Sequence, residues 1–127
     1  MRSIPAVLSL AFALATSLAA QGSHQHDAGA AADITVVGEV IDPVCYLTHG
    51  SLGQEHKACA DMCLKQGIGL ALLEDKTGQI YTSVPADHTN PNVKLRAFIS
   101  EKVKVTGTPY SKGGLKGIHL KTVDRVR

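Results

Sequence analysis

The sequence predicts a mainly β domain with short helices, an OB-like barrel of five strands with a cysteine-bearing helix inserted after the first strand. Three observations carry this expectation. Five short runs are rich in β-branched and apolar residues. A stretch of helix formers separates the first two runs, and a second helix-like stretch precedes the last two. An open sheet with two helices would produce the same order of elements.

The first run is Ile34, Val36, Val37, Val40 and Ile41. Gly38 interrupts it, which suits a bulge or a close backbone approach. Asp42 and Pro43 should end the strand. Ser51 with Gln54 three residues on forms a possible capping box. Leu52 to Gln66 then reads as a short helix, with Gly67 available to stop it. Leu70 to Leu73 and Ile80 to Val84 flank the polar cluster Glu74-Asp75-Lys76-Thr77-Gly78, the pattern of a hairpin. Pro91 to Ser100 could form a second short helix on Val93, Leu95, Phe98 and Ile99. Val103 and Val105 alternate with Lys102, Lys104 and Thr106, the period of a half-buried strand. Leu115, Ile118, Leu120 and Val123 supply the last strand after Gly113-Gly114.

The N-terminal segment has its own logic. Arg2 precedes an almost unbroken apolar run from Ile4 to Leu18, which closes on the small residues Ala19 and Ala20. This is the order of a removable signal peptide, and it implies an exported, periplasmic or secreted product with no membrane anchor. Residues 1–20 are accordingly expected to be the signal, 21–33 a flexible leader of Ala, Gly, Gln and His, and 34–127 one OB-like domain. Such a domain buries a modest core, so a disulfide or a metal would help to hold it.

Charge excludes several function classes. Thirteen Lys and Arg stand against eleven Asp and Glu, and removal of Arg2 with the signal leaves twelve against eleven. The charges are interspersed, so no basic face points to nucleic acid or to a membrane surface. Trp is absent, and beyond the signal Tyr46, Tyr81, Tyr110 and Phe98 are too few to form a stacking platform for bases.

One constellation carries chemistry. Cys45, His49, His56, Cys59 and Cys63 fall within nineteen residues, spaced C-x3-H-x6-H-x2-C-x3-C. Cys59 and Cys63 on one helix would hold their Cβ atoms about 5–6 Å apart, whereas a disulfide needs about 3.5–4.5 Å. Two thiolates on successive turns can instead converge on one ion, with Cys45 and His49 reaching it from the preceding loop. His56 competes with His49 for the fourth position or acts as an outer partner. Thiolates with imidazole favour zinc or Cu(I), and the absence of a carboxylate cluster argues against hard cations. The alternative is a structural disulfide from Cys45 to Cys59 or Cys63 in an oxidising compartment, which leaves an odd thiol. Thiol redox chemistry would need a depressed thiol pKa, and Cys59 and Cys63 lie too deep in the expected helix for its N-terminus to supply one.

Gly38-Glu39-Val40-Ile41-Asp42, the spacing of Cys45, His49, Cys59 and Cys63, and the later Lys102-Val103-Lys104-Val105-Thr106-Gly107-Thr108 together resemble a group of small, uncharacterised exported bacterial proteins. Those proteins combine an OB-like domain with a C-x3-H…C-x3-C cluster. The resemblance implies a periplasmic or secreted setting and a shared Cys/His site, and it implies no activity.

The remaining histidines are weaker candidates. Gly22-Ser23-His24 would bind Cu(II) only if cleavage exposed Gly22, so His24 and His26 read as leader residues. Asp87 and His88 lie in a polar loop with no nucleophile motif around Ser83, and His119 between Ile118 and Leu120 reads as an outward strand residue. There is no phosphate loop, dinucleotide fingerprint or paired-carboxylate motif, and no enzyme is expected. The expected partners are a metal ion and, beyond it, another exported protein.

Overall fold

The computed structural model describes residues 31–126, so the expected signal, most of the leader and Arg127 lie outside the described residues. Five strands, β1 (Ile34–Ile41), β2 (Ala71–Glu74), β3 (Ile80–Ser83), β4 (Lys102–Lys112) and β5 (Leu115–Arg125), close into a barrel in the order β1-β2-β3-β5-β4. All neighbours are antiparallel except β3 and β5, which run parallel through Thr82 opposite Gly117 and Ser83 opposite Ile118. That parallel pair closes the sheet, and closure removes the free edges an open sheet would present. The expected OB-like barrel is the fold observed.

Alternation along the strands builds the core. Val36 and Val40 of β1, Leu72 of β2, Val103 and Val105 of β4, and Ile118 and Leu120 of β5 point inward and are buried. Leu70, Leu95 and Ile99 close the interior from the connecting segments. β1 serves two partners: its first six residues pair with β4, and Gly38 to Ile41 pair with β2. Of the two readings for Gly38, close approach is the one realised, because both registers run through it without a shift. A Cβ there would sit 2.0 Å from the Leu73 carbonyl oxygen.

The connection from β1 to β2 differs in detail from the sequence expectation. Asp42-Pro43 does end β1, but it also starts a helix, α1 (Pro43–His49). The Asp42 side chain caps it by accepting from the Val44 and Cys45 N–H groups at 2.8 and 3.2 Å, and Pro43 occupies the first turn, where a missing N–H costs nothing. Gly50 in the left-handed region ends α1. Cys45 therefore lies on a helix and not in a loop.

The expected helix over 52–66 is shorter and later. A 3-10 turn at Gln54–His56 leads into α2 (Lys57–Lys65). The Ser51 capping box does not form, since Gly53 at φ 75° breaks the chain direction. Gln54 instead donates to the Ser100 carbonyl at 2.6 Å. Ala60 and Leu64 turn α2 onto the core, and Lys57 reaches Glu101 at 3.2 Å. The second expected helix, 91–100, is a pair of 3-10 turns, Pro91–Lys94 and Arg96–Phe98. Leu95 and Ile99 are each buried from these short turns, so core packing sets their geometry more than helix propensity does.

Candidate metal centre

The insertion between β1 and β2 brings α1 and α2 together, and their facing sides carry the cysteines. Cys45 sits in the first turn of α1, fixed there by the Asp42 cap through its own N–H. Cys59 and Cys63 are one turn apart on α2, on the side adjacent to the Ala60 and Leu64 face that packs on the barrel. The result is three sulfurs within 4.8 Å of one another, with Cys45 Sγ and Cys63 Sγ 4.0 Å apart. All three cysteines are half-buried and none is in a disulfide.

This spacing fits an ion. Sulfurs bound to zinc at about 2.3 Å in tetrahedral geometry stand about 3.8 Å from one another. The three thiols therefore need only small side-chain rotations to bind a common centre. Neither expected histidine belongs to the group. His49 is the last residue of α1, one turn beyond Cys45, and is exposed; His56 ends the 3-10 turn before α2 and is half-buried. The chain thus gathers Cys45, Cys59 and Cys63 and leaves His49 and His56 outside the cluster.

Sequence reasoning missed Asp42, which it treated as a strand terminator. Its side chain is buried, with 5% of its surface exposed. One oxygen caps α1, while Oδ2 is buried and has no hydrogen-bond partner. The usable signal was Asp-Pro three residues before a cysteine, the pattern of an N-cap and first helical residue.

Electrostatics link this carboxylate to the sulfurs. Burial works against the charged form of Asp42, but the Cys63 and Cys45 thiols and the N–H groups of Cys45 and Val44 outweigh it, so its carboxyl lies below the ordinary value. The same contact acts in reverse on the thiols. The carboxylate, then burial, push Cys45 up to about 12, and they also raise Cys63. Both thiols are held protonated, which is the opposite of what an exchange-active cysteine needs. A metal ion held by the three sulfurs would change the balance, because its charge would replace the thiol protons.

The other candidates are dispersed. His119 is half-buried, with Nδ1 3.3 Å from the Val84 carbonyl oxygen, rather than pointing freely outward. Asp87 is engaged by Thr89 within its own loop. His24 and His26 lie outside the described residues. No helix among the described residues is long and apolar enough to cross a membrane.

Fold and site together define a class: a small OB-like barrel whose β1–β2 insertion carries a three-cysteine cluster able to hold a metal ion. Comparison with protein-family models, with curated proteins and with solved structures found no match.

Proposed function

We propose that the chain is an exported metal-binding module that holds one zinc or copper ion through Cys45, Cys59 and Cys63. The observation that carries the reading is the convergence of three sulfurs from two helices within 4.8 Å. Export rests on the charged, apolar and small-residue order from Arg2 to Ala20, which directs the product to a periplasmic or secreted location. The proposed role is binding, carried by the three converging sulfurs.

The test is elemental mass spectrometry on protein recovered from an exporting host without chelator, alongside a free-thiol count and intact mass. About one zinc or copper per chain, with three thiols released by chelation, supports the proposal. A second reading rests on the 4.0 Å separation of Cys45 and Cys63, a pair that oxidation could join. Protein without metal, lighter by two hydrogens and with one free thiol, would establish that reading instead.

A further inference from the structure

We infer that Asp42 is the fourth donor of this centre, and that its carboxylate makes the site one for a divalent ion such as zinc in preference to Cu(I). The inference rests on the metal-binding reading and specifies the ligand set within it.

Asp42 is doubly constrained. Oδ1 is committed to the first turn of α1 through Val44 and Cys45, so the carboxyl group cannot rotate away without uncapping the helix. Oδ2 is consequently held inside, buried and without a hydrogen bond. A buried carboxylate oxygen left unpaired costs about 1–3 kcal/mol or more, and native structures retain such an atom where something satisfies it. None of the ion pairs among the described residues includes Asp42. The polar side chains that act on its carboxyl group are the thiols of Cys45 and Cys63, two members of the cluster, and Oδ2 itself has no hydrogen-bond partner. The Asp42 carboxyl group thus neighbours two of the three sulfurs without lying within 4.8 Å of all three, so the sulfurs must turn toward it when an ion binds. One cation would engage the oxygen and the sulfurs alike.

The donor set then decides between the metals. Zinc accepts sulfur and carboxylate oxygen in one tetrahedron, with oxygen at about 2.0–2.2 Å. Cu(I) is soft and gains little from a hard oxygen, so three thiolates with a carboxylate select against it. With three thiolates and one carboxylate the ligands carry the same formal charge as those of a four-cysteine zinc site, a set proteins use widely.

Asp42→Asn isolates the question. Asparagine is as good an N-cap as aspartate, so the variant keeps the bonds to Val44 and Cys45 and exchanges only the second oxygen for an amide nitrogen. Asp42→Ser, which also keeps a capping oxygen, serves as the second variant, and the circular-dichroism melting curve checks folding in both. The mature chain, reduced and freed of metal, is loaded with Co(II) as a spectroscopic probe, and zinc affinity is measured against a competing chelator. In both variants the sulfur-to-cobalt charge-transfer band should remain while the ligand-field bands shift, and zinc affinity should fall about a hundredfold or more, since even outer partners of metal ligands are worth about 10–100-fold. His49→Ala and His56→Ala should leave the spectrum and the affinity unchanged. The inference is overturned if Asp42→Asn matches the parent in spectrum and affinity, or if a histidine variant produces the shift instead. A parent chain that takes up neither Co(II) nor zinc removes the metal-binding reading itself, and this inference with it.

Discussion

Gly38→Ala tests whether the spacing of β1 and β2 is set by backbone contact. The added Cβ would lie 2.0 Å from the Leu73 oxygen, 2.7 Å from its carbonyl carbon and 3.0 Å from the Glu74 Cα. All three atoms are backbone, so no side chain can rotate aside. The strands must part by more than an ångström at this point, and the short ladder from Gly38–Glu74 to Ile41–Ala71 loosens. Overpacking costs about 1–3 kcal/mol, and one or two weakened backbone hydrogen bonds add about 1 kcal/mol, giving about 2–4 kcal/mol in all. For a domain of this size that lowers the melting midpoint by roughly 10–30 °C. Gly69→Ala is the control, since its Cβ would meet only Asn92 Oδ1 at 3.9 Å and its backbone needs no left-handed angle. It should be neutral or slightly stabilising. Urea and thermal denaturation followed by circular dichroism give both numbers. Metal stoichiometry should be unchanged in Gly38→Ala, because the clash lies at the end of the ladder away from Ile41, where the insertion leaves the barrel. A cost below about 1 kcal/mol, or one equal to that of Gly69→Ala, would refute the reasoning.

Single replacement of Cys45, Cys59 or Cys63 by serine should each abolish stoichiometric zinc binding in a chelator competition, because two thiolates retain too few of the strong donors. Oxidation of the metal-free chain should join Cys45 to Cys63, the pair at 4.0 Å, and leave Cys59 alkylatable; peptide mapping that finds Cys59–Cys63 instead would contradict the helical geometry of α2. Acid should weaken the fold through Glu101, whose carboxyl is held below its ordinary value of 4.5 by Arg125 and then Lys57. A depressed carboxyl contributes stability above its unfolded value and loses it as pH falls through the folded one. The melting midpoint should therefore drop below about pH 4.5, and Glu101→Gln should flatten that part of the profile, with added salt diminishing the difference.

The strands and the hairpin were legible because each writes a local pattern. Alternation in Lys102 to Thr106, β-branched residues in Ile34 to Ile41 and the Glu74 to Gly78 turn depend on near neighbours, and the barrel preserves them. Helical boundaries were less legible. Asp42-Pro43 serves equally as a strand stop and a helix start, and nothing local distinguishes the two until the chain must turn back toward α2. Gly53 and Ser100 carry positive φ angles that a capping-box reading of Ser51 does not anticipate.

The sequence by itself determined the inventory: five strand segments, a helix bearing Cys59 and Cys63, and a Cys/His cluster with thiol chemistry. Only the tertiary structure decided which members meet. Closing the barrel through the parallel pairing of β3 and β5 completes the frame from which the insertion projects, and packing α2 onto it through Ala60 and Leu64 brings its cysteines to Cys45. The same packing leaves His49 on an exposed helix end and buries Asp42 at the start of α1, a placement that the spacing of residues along the chain does not reveal. The reason is physical. Sequence spacing constrains which side chains share a turn, whereas convergence from two elements depends on apolar burial that holds those elements at a fixed distance and angle.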